Sequence, residues 1–171
     1  MLTLQNVAAL VNLGTLVDLD HIKNEWPEAT YNYQRFHGLI MKTPLATITL
    51  FKTGKMMVVG APDEMSATVT AAYISNQLRD LGYNSSVQDF KITNMVASGR
   101  MPKKINFLAF CSTHGIMYEP ELFPGARYRD EENKISVIFF HTGKLFLTGG
   151  KSEDLLEKSY EKFCTLINGF E

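Results

Sequence analysis

The chain has 171 residues, of which 45% are hydrophobic and 20% are charged, so it suffices for one domain or for two small halves that share a core. Its 17 basic and 18 acidic residues give a net charge of −1, an unusual balance for a nucleic-acid-binding protein. No apolar run approaches the ~18 residues that span a bilayer, and we expect no targeting segment ahead of the first strand. Two cysteines, Cys111 and Cys164, make neither a disulfide framework nor a metal pair, which indicates a reducing compartment.

The chain repeats itself. The stretch FKTGKMMVVG at Phe51–Gly60 recurs as FHTGKLFLTG at Phe140–Gly149, and other shared residues keep offsets of 87 to 89 positions. Two copies of so long a period exclude a solenoid. We therefore predict an internal duplication, with a first repeat over residues 1–85 and a second over residues 86–171.

The first repeat alternates strands with two helices. Its predicted elements are, in chain order, a strand at Leu4–Leu13, a short helix that Asp18 caps, strands at Tyr33–Met41, Ala46–Phe51 and Lys55–Val59, and a long helix introduced by Asp63, with the apolar stripe Ala67, Ala71, Ile74, Leu78 and Leu81.

The second repeat has the same order. Its elements are a strand at Phe90–Ala97, a short helix that begins near Pro102, strands at Ala126–Arg129, Ile135–Phe140 and Lys144–Thr148, and a long helix introduced by Ser152, with the stripe Leu156, Tyr160, Phe163 and Ile167. Tight hairpin turns are expected at Thr53-Gly54 and Thr142-Gly143. The pattern predicts an α+β fold in which four helices cover one side of an antiparallel sheet.

The other side of this sheet is predicted to be apolar. If Phe139 and Leu147 face the helices, their neighbours Ile138, Phe140 and Phe146 must face away, because successive side chains of a strand alternate. The same alternation turns residues of the first repeat outward, namely Phe51, Met57 and Val59. An outward apolar patch marks a binding surface, unless a second layer or a partner copy covers it.

Six motifs resemble the conserved core of the TATA-box-binding protein family. They are LQN (Leu4–Asn6), VNLG (Val11–Gly14), FxTGKMxVxGA (Phe51–Ala61), DFKIxN (Asp89–Asn94), YEPELFPG (Tyr118–Gly125) and TGKLxLTG (Thr142–Gly149). The resemblance covers essentially the whole chain. It implies a pseudo-two-fold saddle, in which a curved antiparallel sheet carries helices on its convex face and binds the DNA minor groove with its concave face.

The resemblance assigns a role to each of several groups of residues. Two phenylalanine pairs would wedge between base steps, Phe36 with Phe51 and Phe123 with Phe140. The minor-groove contacts would be Asn6, Asn94, Val96, Met57, Val59, Ile138, Phe146 and Thr148. The phosphate contacts would be Lys42, Lys55, Arg129 and Lys144.

The first repeat departs further from the family than the second. Val59 replaces a threonine, Met57 a valine and Lys42 an arginine, and His37 stands where a small residue is usual; in the second repeat, Phe146 replaces a valine. The charges are also sparse, with six basic and seven acidic residues up to Ser85. We therefore expect DNA binding that is weaker or more sensitive to salt than that of a basic family member.

The resemblance also implies protein partners. Glu119, Glu121 and Leu122 match the family's contacts to transcription factor IIB, through which RNA polymerase is recruited. The contact to transcription factor IIA carries over only weakly, because the helix from Asp63 to Leu81 has Arg79 as its one basic residue. The apolar face permits a homodimer of DNA-free molecules. We expect a nuclear protein that is not an enzyme and needs no cofactor, metal or membrane.

Two alternatives remain open. A diverged relative could act mainly as a protein scaffold with weak or altered DNA binding. A helix-on-sheet protein of another class could hold a small ligand in its apolar concavity, or could be a fragment of a DNA-repair enzyme.

Overall fold

The computed structural model describes residues 1–171 and contains nine strands and four helices, which confirms the predicted α+β class. The chain divides into two compact units. The first unit is Asn6–Thr93, and the second unit is Met1–Gln5 together with Asn94–Glu171. The strands Thr3–Asn12 and Asp89–Arg100 each have residues in both units and are described with the unit that holds most of their residues. The repeat boundary between residues 85 and 86 stays a prediction. None of the helices combines the length and the apolar character that crossing a bilayer requires.

The first unit is an antiparallel sheet backed by helices. Its elements are β1 (Thr3–Asn12), α1 (Leu19–Glu25), β2 (Thr30–Asn32), β3 (Phe36–Lys42), β4 (Thr47–Leu50), β5 (Lys55–Ala61) and α2 (Glu64–Asp80). The strands lie in the order β2-β3-β4-β5-β1, and α2 packs on β5. Four predicted stripe residues of α2 are buried, whereas Leu81 lies just beyond the helix and is half-buried.

The second unit repeats this arrangement. Its elements are β6 (Asp89–Arg100), α3 (Phe107–Thr113), β7 (Ala126–Asp130), β8 (Ile135–Phe139), β9 (Lys144–Gly150) and α4 (Glu153–Asn168). The strands lie in the order β6-β9-β8-β7, and α4 packs on β8 and β9. Phe163 of α4 lies 4.9 Å from Phe139 between ring centroids, which places both rings in the core.

Helix starts were predictable where a capping side chain precedes an apolar stripe. Asp18, Asp63 and Ser152 cap their helices as predicted, each accepting from a backbone N–H of the first turn. The prediction that α3 begins near Pro102 was wrong. Asn106 caps that helix instead, accepting from the Ala109 N–H at 3.2 Å, while the Met101 N–H donates to the Gly143 carbonyl and holds the preceding segment on the β8–β9 hairpin.

A turn takes the place of the first three residues of the strand predicted at Tyr33–Met41, which begins at Phe36 in the structure, and β2 before the turn was not predicted. The Asn32 side chain accepts from the Gln34 N–H at 3.1 Å and its carbonyl accepts from the Arg35 N–H, so β2 and β3 are separate strands. Tyr33 lies in this turn and is 59% exposed. Tyr33 is therefore not a core residue, whereas Trp26 is buried.

Both hairpin turns form where they were predicted. The Gly54 N–H donates to the Phe51 carbonyl at 2.9 Å, and the Gly143 N–H donates to the Phe140 carbonyl at the same distance. The two glycines have φ values of 83° and 87°, which a side chain would strain. Each turn thus leaves one phenylalanine at the end of its hairpin, next to the turn.

Candidate nucleic-acid interface

In each unit, the sheet face opposite the helices is apolar and open. In β9, Leu145 and Leu147 are fully buried while Phe146 between them is 37% exposed. In β5, Met56 and Val58 are buried while Met57 is 44% exposed. The predicted alternation is therefore present, and no further layer of the chain buries these outward residues.

A pair of phenylalanines stands on this face in each unit. The ring centroids of Phe36 and Phe51 are 6.1 Å apart, and those of Phe123 and Phe140 are 6.0 Å apart. Phe36 and Phe123 are 46% and 49% exposed, and their partners are half-buried. The structure thus brings together each pair that the resemblance implied and keeps all four rings out of the core.

A glycine lies beneath each pair, a feature that the sequence analysis missed. A Cβ at Gly125 would lie 2.8 Å from a ring carbon of Phe123 and 2.9 Å from one of Phe140. A Cβ at Gly38 would lie 2.8 Å from a ring carbon of Phe36 and 2.6 Å from the Thr49 methyl. Both glycines follow their exposed phenylalanine by two residues, so this spacing could have indicated them.

Asn6 and Asn94 occupy equivalent positions with their oxygens engaged. The Asn6 Oδ1 accepts from the Gly60 N–H at 3.0 Å, and the Asn94 Oδ1 accepts from the Gly149 N–H at 2.7 Å. Each amide therefore keeps its Nδ2 as the group free to contact a ligand. The Asn94 Nδ2 also approaches the Thr148 hydroxyl at 3.5 Å, whereas Val59 offers Asn6 no such hydroxyl.

The remaining predicted groove residues lie on the same faces of their own units. Met57 and Phe146 are exposed, and the others are half-buried, namely Val59, Val96, Ile138 and Thr148. Phe146 also contacts the second phenylalanine pair, since its centroid lies 6.2 Å from that of Phe140. These side chains offer a mostly apolar surface with few hydrogen-bonding groups.

Three of the four predicted phosphate contacts are available. Lys42, Lys55 and Lys144 are exposed and have no carboxylate partner in the structure. Arg129 is engaged, because it donates to the Ser136 hydroxyl at 3.0 Å and lies 4.0 Å from Glu131. Lys52, in the hairpin turn beside Lys55, is a further exposed lysine that the sequence analysis did not single out.

The loop before β7 exposes the acidic residues expected to face a partner. Glu119, Glu121 and Leu122 are all exposed, and Leu122 is 81% exposed. The Glu119 carbonyl accepts from the N–H groups of both Leu122 and Phe123 at 3.0 Å. These backbone hydrogen bonds fix the position of the acidic loop relative to Phe123 of the second phenylalanine pair.

The possible metal ligands and the two cysteines of the chain bear on metal binding and on nucleophilic chemistry. The structure contains no cluster of three His, Cys, Asp or Glu residues that could hold a metal. Both cysteines are free; burial raises the pKa of the Cys111 thiol, and it also raises that of half-buried Cys164. Neither thiol is therefore activated as a nucleophile.

Comparison with known proteins identifies one family by sequence. The family model described as Transcription factor TFIID (or TATA-binding protein, TBP) matches residues 1–81 and 89–170. The TATA-box-binding protein of Acanthamoeba castellanii is 36% identical over 99% of this chain and 67% of that protein. The TATA-box-binding protein of Candida albicans is 37% identical over 98% of this chain and 72% of that protein.

A solved structure agrees with the sequence comparison. The TBP of Methanococcus jannaschii matches with a TM-score of 0.91 at 29% identity, over 98% of both chains. Fold and outward face together define a DNA-binding transcription factor with paired aromatic rings on a helix-backed sheet. The chain belongs to the TATA-binding protein family, and it is a general transcription initiation factor. The expected α+β fold, in which helices back one face of an antiparallel sheet in each unit, is thereby confirmed.

Proposed function

We propose that this chain binds A·T-rich promoter DNA through the minor groove and bends it, using both outward faces. The observation that carries this proposal is the recurrence of one geometry in the two units. Each unit has two phenylalanine rings about 6 Å apart, seated over a glycine at the end of an outward apolar face. A single exposed phenylalanine pair would not by itself indicate DNA binding. Two matched pairs, one in each unit, fit a duplex that is kinked at two steps.

The rings act as wedges. An exposed aromatic ring gains apolar contact when it enters between two base pairs, and it unstacks that step at a cost of a few kcal/mol. For TATA-binding proteins, a standard example of this mode, the resulting kink is about 80°. The bent duplex then covers more of the outward apolar face of each unit.

The asparagines favour A·T pairs. With Oδ1 occupied by a glycine N–H, each amide presents Nδ2 donors, which suit the adenine N3 and thymine O2 acceptors of the minor groove. A guanine would place its own amino donor there. Because both oxygens are already engaged, the geometry supports donation by these amides and not acceptance.

Protein partners follow from the acidic loop. We assign Glu119, Glu121 and Leu122 to a contact with transcription factor IIB, supported by their exposure and by their attachment to Phe123. Recruitment of RNA polymerase in the nucleus would follow, without enzymatic activity of the chain itself. A homodimer of the DNA-free protein through the apolar face is part of the same proposal.

A second candidate function is a protein scaffold that binds DNA weakly. The observation in its favour is charge, since the net charge is −1 and Arg129 is held by neighbouring groups. This candidate keeps the transcription role but removes the need for intact wedges.

Selection of bound sequences from random duplexes separates the two candidates. We expect the wild type to enrich A·T-rich sites, and Phe51→Ala and Phe123→Ala each to lose enrichment at one end, with affinity reduced about tenfold or more. Leu108→Ala, which removes a 65% exposed apolar side chain from α3, is the matched control and should bind like the wild type. If the wild type enriches no sequence, the scaffold is the better account.

A further inference from the structure

The first unit has an aromatic stack that the second unit lacks. Tyr33, in the turn between β2 and β3, lies flat against His37 of β3, with centroids 4.5 Å apart and an interplanar angle of 10°. Both side chains are exposed, and His37 directly follows the wedge ring Phe36. Neither Tyr33 nor His37 pairs with a third aromatic ring, so the exposed stack offers a π surface to a ligand.

This stack borders a cleft of about 300 Å³. Its aromatic lining consists of Tyr31, Tyr33, His37 and the wedge ring Phe51. Leu10, Thr53 and Met57 also line it. Leu10 and Met57 are 39% and 44% exposed, so the cleft opens onto the same outward face. Its size and aromatic lining suit one planar heterocycle.

Two lysines give the cleft a positive edge. Lys52 and Lys55 both line it, and neither has a carboxylate partner. A cleft with aromatic rings on one side and free ammonium groups on another matches the two parts of a nucleotide, a flat base and an anionic phosphate.

The second unit cannot form the same cleft. At the offset of 87 residues that relates Phe36 to Phe123, Pro120 stands for Tyr33 and Pro124 for His37. Prolines offer no aromatic face. Whatever the cleft binds is therefore bound at one end of the DNA site only.

We propose that the cleft binds one nucleotide of the DNA strand at the step wedged by Phe36 and Phe51. The unstacked base lies against the Tyr33–His37 stack, and its phosphate contacts Lys52 or Lys55. This inference rests on the proposed DNA binding. It gives the protein a preference for an unpaired or weakly paired base at the first-unit end, and so it sets the orientation of the protein on a symmetric site.

The test uses A·T-rich duplexes that carry 2-aminopurine, whose fluorescence rises on unstacking, at either end, with or without a mismatch there. We expect the wild type to brighten one end more than the other and to favour the mismatched duplex. Tyr33→Ala should abolish both effects, with the preference for the mismatch falling roughly 5- to 100-fold. Tyr33→Phe should retain them, and His37→Ala should weaken them.

Tyr73→Ala is the matched control, because it removes another exposed tyrosine of the same unit from α2. If Tyr33→Ala still bends paired A·T duplexes and also brightens 2-aminopurine like the wild type, the proposal that the cleft binds a nucleotide is overturned, and the proposed function stands. If the wild type neither binds nor bends paired A·T duplexes, both are overturned.

Discussion

Gly38 and Gly125 show how single residues set the position of the wedge rings. Neither glycine has a positive φ, so neither is required by backbone conformation. Each is required by space instead, because an added Cβ would approach the rings to less than 3.0 Å. An added Cβ at Gly125 would displace the rings of Phe123 and Phe140, and one at Gly38 would displace the Phe36 ring and the Thr49 methyl.

Gly125→Ala is therefore expected to weaken DNA binding on the order of tenfold while leaving thermal stability nearly unchanged, since the displaced rings are on the surface. An affinity titration together with a melting curve measures both quantities. Gly169→Ala is the control, because its Cβ would meet nothing closer than 3.4 Å. Wild-type affinity in Gly125→Ala would show that DNA binding does not need a glycine beneath the rings.

At the scale of elements, period-two alternation predicted both faces of the sheets, and capping residues predicted three of the four helix starts. Two errors have local causes: the Asn32 turn removes the first three residues of the predicted strand Tyr33–Met41, and Asn106 rather than Pro102 starts α3. The Tyr33–His37 stack could not be predicted, because no sequence pattern indicates which side chains meet across a turn. The positions of Gly38 and Gly125 beneath the rings were missed for the same reason, although each glycine follows its phenylalanine by two residues.

The contact between the end of β7 and α4 supports a prediction at the scale of elements. Asp130 is fully buried, yet it accepts from the Ser159 hydroxyl at 2.5 Å and from the Lys162 ammonium at 2.9 Å. Burial opposes ionisation, but the hydrogen bonds from Ser159, Asn133 and Lys162 outweigh it and hold the pKa of Asp130 below its usual range.

Because the folded carboxyl binds its proton more weakly than the unfolded one, this contribution to stability is complete above about pH 5 and declines as pH falls through about 4. Asp130→Asn should lower the free energy of unfolding at pH 7 by about 2 kcal/mol and flatten its decline in acid. Urea unfolding at pH 7 and pH 3 measures this, with the surface substitution Asp154→Asn as the control. An equal acid-dependent decline in Asp130→Asn and the wild type would refute the assignment.

At the scale of the whole molecule, apolar wedges and few charges must together account for binding. With three free lysines from the predicted set, log K should fall against log salt with a slope of roughly −3. Because few phosphates are neutralised, this slope is shallow, so of the two expectations from the sequence we retain weaker binding and not greater sensitivity to salt. Affinity at any salt concentration then depends mainly on the wedges and the apolar face. The chain is thus expected to bind DNA weakly unless both pairs are intact.

Fluorescence resonance energy transfer between the ends of a TATA-containing duplex tests this account most directly. The wild type is expected to bring the two ends closer, with a smaller change on a scrambled duplex. Replacement of Phe36, Phe51, Phe123 and Phe140 by alanine should abolish the change. A wild type that binds the duplex and leaves it straight, or a four-alanine variant that bends it fully, would contradict the account.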